Sequence, residues 1–146
     1  MTDAFAVRLL GPDDAEVLEH VAQGVFDETV DHELTLEFLS DPRHHLAVAI
    51  ADGEVVGFAS GVHYVHPDKP AQLFVNEVGV APPFQRRGIG RRLLAALLER
   101  GAAIGCSEAW VGTEVDNRAA RALYAAGGGV EDDKPFVLAT FPLRGR

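Results

Sequence analysis

The run Val78-Gly79-Val80-Ala81-Pro82-Pro83-Phe84-Gln85-Arg86-Arg87-Gly88-Ile89-Gly90-Arg91 constrains this chain more than any other stretch. It reads as a strand ended by a proline pair, then a glycine-containing loop, then a long helix. Leu93, Leu94, Leu97 and Leu98 form the apolar side of that helix. The first N–H groups of a helix lack intrahelical partners and lie at the positive end of its dipole, so they attract anions. Gly88 and Gly90 would let a ligand approach the backbone closely. Arg86, Arg87 and Arg91 add charge beside those amides. A pyrophosphate is the natural guest. An ordinary strand-to-helix turn with a solvated basic patch would use the same residues, and short glycine motifs often match by chance. The P-loop reading fails because no Gly-Lys-Ser/Thr follows, and the glycine spacing departs from the dinucleotide fingerprint.

Around this run the chain reads as one domain over residues 1–146, with no long linker or repeat. A first strand is expected over 4–10 and a helix from Asp13 through Val17, Leu18, Val21 and Val25. A short second helix carries Leu34, Leu36, Phe38 and Leu39. Strands over 46–51 and 55–65 flank Asp52-Gly53, a strong hairpin signal. Further elements are a strand over 73–80, the long helix over 88–104, a strand over 109–113, an Ala-rich helix over 119–126 and a last strand over 136–141. The order β-α-α-β-β-β-α-β-α-β fits neither a doubly wound sheet nor a bundle. It predicts an α+β fold: a mixed, mostly antiparallel sheet with helices on both faces.

Charge is unevenly placed. The 22 acidic and 13 basic residues give a net charge of −9, which disfavours nucleic acid and anionic membranes as partners. No Lys or Arg lies between Arg8 and Arg43, and ten carboxylates do. Asp27, Glu28, Asp31 and Glu33 cluster where the first two helices should meet, which suits a small cationic amine or simply a solvated acidic face. Apolar stretches are broken by charge before about 18 residues, so no membrane span is expected. The opening MTDAFAVRLLGPDD lacks a basic region followed by an apolar run, so no signal peptide is expected and the cytoplasm is the default compartment. Cys106 is the single cysteine and reads as structural. The six histidines show no convincing metal spacing, so no metal is expected.

The central run resembles the acyl-CoA signature of the GCN5-related N-acetyltransferases, Q/R-x-x-G-x-G/A, through Gln85, Gly88 and Gly90. Val80-Ala81-Pro82 matches the V-x-P before it. Asn117, Ala120, Leu123 and Tyr124 match the family's N-x-x-A-x-x-L/F-Y helix, with Gly128 after it. One departure is Gly129, where an aromatic residue is usual. The resemblance implies that acetyl-CoA lies in a split between the strand ending at Val80 and the strand starting near Ala109, with CoA as product. It assigns the pantetheine arm to the backbone of Val78, Gly79 and Val80. It assigns the pyrophosphate to Gln85, Arg86, Arg87, Gly88, Ile89, Gly90 and Arg91. Asn117 and Ala120 would approach from the other side, and Tyr124 would sit near the sulfur. Dimers are common among such proteins, so a homodimer is expected.

Acetyl transfer requires a neutral amine, donors for the developing oxyanion and a proton for the departing thiolate. Glu77 is the candidate base, expected to be buried beside the thioester, and Tyr124 is the candidate acid. An edge-strand glutamate facing water and a core tyrosine are the plain structural alternatives.

The chain is also similar to aminoglycoside 3-N-acetyltransferases in RLLGPDD, in Gly24-Val25-Phe26 to Asp31, in Val55-Val56-Gly57 with Tyr64-Val65, and in Asn76-Glu77-Val78-Gly79-Val80. Those enzymes carry Asp where this chain has Glu77. That likeness implies an aminoglycoside acceptor bound through Asp27, Glu28, Asp31, Glu33, Glu77 and Glu114. Other readings are the same chemistry on a polyamine, a metabolite or a protein amino group, and a non-catalytic acetyl-CoA sensor.

Overall fold

The computed structural model describes residues 4–144. Five strands form one sheet in the order β1-β2-β3-β4-β5: β1 (Ala6–Leu9), β2 (His44–Ala51), β3 (Glu54–His66), β4 (Lys69–Val80) and β5 (Glu108–Trp110). The first four are antiparallel, and β5 runs parallel to β4. The helices are α1 (His32–Ser40), α2 (Ile89–Ala103) and α3 (Arg118–Ala126). The α+β architecture expected from the element order is the one observed. Asp52 and Gly53 close the β2–β3 hairpin, both with positive φ (51° and 78°), as the tight right-twisted hairpin turn requires.

Each face of the sheet has its own core. On one face Leu73 and Val75 of β4 meet Ile89, Leu93 and Leu97 of α2, all essentially buried. On the other face Val25, Leu39, Val48, Val55 and Phe58 pack together under the N-terminal segment. The register on β4 changes between these faces. Gly61 pairs with Val75, but its neighbour Ser60 pairs with Glu77, so Asn76 is an extra residue. Such a bulge shifts the alternation of side chains by one. Leu73 and Val75 face α2 before it, and Glu77 and Gly79 lie on the opposite face after it.

Three expected elements differ. The helix expected through Val17 to Val25 is only a 3-10 helix, Ala15–Glu19. The Val55 N–H donates to the His20 carbonyl (2.8 Å), and the Ala22 N–H donates to the Val55 carbonyl (2.9 Å). Those groups are therefore unavailable for helical bonding. The last strand expected over 136–141 is absent: the chain there has no strand assignment and its side chains are exposed. The strand expected over 109–113 ends at Trp110.

Candidate functional site

The parallel pairing of β5 with β4 covers only Gln72, Leu73 and Phe74 against Glu108, Ala109 and Trp110. Beyond Phe74 that side of β4 has no strand beside it among the described residues. The Ala81 N–H donates to the Val56 carbonyl (2.8 Å). Because backbone groups alternate sides along a strand, Val78 and Val80 present theirs to the open side. These are two of the three residues expected to hold an extended ligand by its amides. Gly79 lies between them, and a Cβ there would come within 2.7 Å of the Val25 carbonyl oxygen and 2.8 Å of the Phe58 ring. Only glycine lets the N-terminal segment close over the end of β4.

The loop that follows is held by Gln85, whose Nε2 donates to the Val80 carbonyl (3.0 Å). Arg86 and Gly88 both have positive φ, 66° and 80°, which curls the backbone toward an anion-binding nest. Arg87 lies over the Phe84 ring. Gly88 is the N-cap of α2 and brings no side-chain cap. A Cβ on Gly88 would meet nothing within 4 Å, so the space in front of the helix is open. Ile89 is buried and anchors the first turn. Gly90 faces α3, where a Cβ would lie 3.6 Å from the methyl groups of Leu123, while Arg91 is exposed. The loop thus offers uncapped amides and cations on one side and is pinned to strand and core on the other.

Asn117 caps α3: its Oδ1 accepts from the Ala120 N–H at 3.0 Å. Its carbonyl oxygen is therefore spent on the helix, and only its amide N–H groups can face a ligand. Tyr124 is half-buried against the α2 core. Burial, with the charge of Glu114 beside it, raises its hydroxyl above the usual tyrosine range, so the phenol stays protonated at neutral pH.

Glu77 is exposed, contrary to the burial expected for a base. The bulge at Asn76 turns it to the face of the sheet away from α2, where it pairs with Ser60 across the strands and stays open to water. Of the acidic segment, Asp27 and Glu28 line a cavity of about 550 Å3 with Glu19, Phe26, His32 and Thr35. Phe26 stacks on Phe58 with ring centroids 4.2 Å apart, so this cavity borders the end of β4. Asp31 and Glu33 do not line it. The Asp31 Oδ1 accepts from the Leu34 N–H (2.8 Å) and caps α1, and Glu33 is exposed in the first turn of that helix. Glu114 lies after β5, away from this cavity and near Tyr124.

Two side-chain groups have no counterpart in the sequence motifs. Trp110 Nε1 donates to the Tyr64 hydroxyl (2.7 Å), which donates to Gln72 Oε1 (2.9 Å), and Gln72 Nε2 donates to Glu108 (2.8 Å). Phe74 packs against Trp110 at 4.5 Å. This polar and aromatic ladder crosses three strands on the same face as Glu77. No local motif announces it, because its members are 8 to 46 residues apart. The second group is the pair His45 and His63, 2.8 Å apart, far along the sheet from the loop. Among the described residues no group of three or more His, Cys, Asp or Glu side chains could hold a metal ion, and no helix is long and apolar enough to cross a membrane.

The pattern of the acetyltransferase (GNAT) family matches residues 14–128. The N-alpha-acetyltransferase RimI of Mycobacterium tuberculosis is 38% identical over 92 residues, covering 62% of this chain and 54% of that protein. An aminoglycoside N(6′)-acetyltransferase type 1 of Salmonella typhimurium is 32% identical over 96 residues, covering 62% of this chain and 66% of that protein. The chain thus spans about half to two thirds of these relatives. An aminoglycoside acetyltransferase from an uncultured soil sample has the same fold, with a TM-score of 0.76 at 17% identity over 94% of this chain and 97% of that one. The aminoglycoside relative from Salmonella is named for the 6′ nitrogen, not for the nitrogen 3 expected from the sequence.

Proposed function

This chain belongs to the acetyltransferase (GNAT) family, and we propose that it transfers the acetyl group of acetyl-CoA to a primary amine of a small polycationic acceptor, foremost an aminoglycoside. The observation that carries the reading is the bulge at Asn76. It puts Glu77 on the face bordered by the acidic N-terminal segment, next to the Val78 backbone and Val80 N–H that the short β5 leaves open beside the uncapped start of α2.

The residues present fit acetyl-CoA. The nest at Arg86 to Gly88, the open space at Gly88 and the free amides of α2 suit a pyrophosphate. The Val78 backbone and the Val80 N–H, which face no strand on that side, suit the pantetheine arm, while the Val80 carbonyl is held by Gln85. When bound, acetyl-CoA supplies an activated acyl carbon and a thiolate leaving group. The Val80 N–H can donate to the acyl oxygen as charge develops there. Glu77, directly or through one water, takes the proton that the ammonium must lose. Tyr124, held neutral by its surroundings, gives a proton to the departing sulfur and recovers one, through water, from the nitrogen as the amide forms. Asp27 and Glu28 attract the remaining ammonium groups of the acceptor and orient it.

The Salmonella relative supports an aminoglycoside acceptor. The Mycobacterium relative favours a second reading, the same transfer to a protein α-amino group. The test is CoA release with acetyl-CoA and a panel of gentamicin-type and kanamycin-type aminoglycosides, spermidine and short peptides. Turnover on an aminoglycoside, followed by product mapping, supports the first reading and identifies the nitrogen. Turnover on peptides alone replaces it with the second. Tight acetyl-CoA binding without turnover on any amine would point to a sensor.

A further inference from the structure

We propose that the Trp110 indole is the platform on which a second aminosugar ring of the acceptor lies. The proposal rests on the aminoglycoside reading and assigns a binding residue that no sequence motif marks.

Trp110 is the single tryptophan of the chain and the last residue of β5. A large aromatic side chain on a strand normally buries most of its ring, but this one is 49% exposed. It is nevertheless held in place. Its Nε1 donates to the Tyr64 hydroxyl (2.7 Å), and the Phe74 ring packs against it at 4.5 Å. The Tyr64 hydroxyl donates to Gln72, and Gln72 donates to Glu108. Every donor in this relay points toward the Glu108 carboxylate, so the indole has one settled orientation. Its polar edge is satisfied, while its remaining surface faces solvent. A ring fixed before binding loses little conformational entropy when a ligand lies on it. The arginines that lie over rings use Phe84 and Phe5 and leave Trp110 for another cation.

The position of the ring identifies its occupant. Phe74 pairs with Trp110 in the β4–β5 register, and Glu77 follows on β4 after the bulge at Asn76. Phe74 and Glu77 therefore share the face away from α2. Three strand residues span about 10 Å, a length that two linked sugar rings cover. With the reacting amine at Glu77, the neighbouring ring of the acceptor comes over the indole. Carboxylates flank this surface, Glu77 on one side and the exposed Glu108 on the other. An aromatic surface between two carboxylates suits a molecule with apolar C–H faces and ammonium groups. The C–H face lies on the indole, and the positive charge is drawn to the negative face of its π-system. A single amino acid is too short to touch both Glu77 and the indole.

The single tryptophan makes the contact directly observable. In the presence of CoA, kanamycin A and gentamicin are each titrated into the full chain while tryptophan emission is followed. A saturable change in emission is expected with the aminoglycoside that turns over. Trp110→Leu should raise the KM for that aminoglycoside about two- to thirtyfold, as loss of one cation–π contact does, and far more than it lowers kcat. Trp110→Phe keeps a ring and should recover part of the loss. Tyr64→Phe should shift the emission of the free protein, because the indole N–H loses its acceptor, and should raise KM by less than Trp110→Leu. Unchanged emission at concentrations that saturate turnover overturns the proposal and leaves the aminoglycoside reading standing. A wild-type KM in Trp110→Leu does the same. Equal losses of kcat and melting temperature in Trp110→Leu and Trp110→Phe would show a structural role and also overturn it. Wild-type protein that releases no CoA with either aminoglycoside overturns the reading itself and this proposal with it.

Discussion

The side-chain amide of Gln85 donates to the carbonyl oxygen of Val80 at 3.0 Å. The glutamine of the cofactor motif thus ties the glycine loop back to the end of β4, and its amide faces the strand instead of a ligand. The positive-φ turn at Arg86 and Gly88 follows directly from that anchor. Gln85→Ala should loosen the loop without touching the core. One hydrogen bond of this kind is worth about 0.5–1.5 kcal/mol, so the dissociation constant for acetyl-CoA should rise about two- to tenfold. Calorimetric titration with acetyl-CoA checks this, and the melting temperature should hardly move.

Gly79→Ala tests the contact between β4 and the N-terminal segment. The new methyl would sit 2.7 Å from the Val25 carbonyl oxygen, which forces that segment away from the sheet. Overpacking of this sort costs about 1–3 kcal/mol. Thermal melts should show the loss, and the acceptor KM should rise more than the acetyl-CoA KM because the cavity at Phe26 to Glu28 shifts.

Glu77→Gln and Tyr124→Phe separate proton transfer from binding. Removal of a general acid or base costs about 10²–10⁴ in rate, so kcat should fall with Glu77→Gln while acetyl-CoA affinity stays. Because Glu77 is exposed, Glu77→Asp should keep part of the rate by working through water. Tyr124→Phe should lower kcat with little change in stability. Its raised hydroxyl pKa means that the wild-type rate should not fall on the alkaline side through ordinary tyrosine ionisation. Steady-state kinetics across pH checks all three variants.

His45 predicts an acid weakness remote from the site. It is buried on β2 against His63, and burial, with like charge from His63, Arg100 and His44, lowers its pKa from 6.5 to about 4. The unfolded chain therefore binds a proton at higher pH than the folded one. Stability is fully present above about pH 6.5 and is lost as pH falls toward 4. The shift corresponds to about 3 kcal/mol at most. Denaturant melts from pH 7 to 4 should show the decline, and His45→Gln should flatten it even if the variant is less stable at pH 7.

Elements whose signals are local were legible in the residues. Asp52-Gly53 needs positive φ, so the hairpin follows from two adjacent residues. The leucine spacing of α2 and the glycines before it place the loop and its free amides within a dozen positions. The order of the elements was enough to set the α+β architecture. Asp31 shows where local reading stops: an acidic residue before a helix can be a cap or a ligand, and the Leu34 N–H claims it as a cap.

The remaining features depend on partners distant in the chain. Val17 to Val25 has helical spacing, but Val55 takes its backbone groups from across the fold. Phe136 to Phe141 has strand chemistry, but a strand exists only when an edge pairs with it, and its own chain does not supply the pairing. The side of the sheet on which Glu77 stands is settled by one extra residue, Asn76, in the register of β4 against β3. Helices and tight turns close their hydrogen bonds within a few residues, so composition and spacing suffice for them. Sheet register and strand partnership are long-range choices, and only the assembled fold makes them.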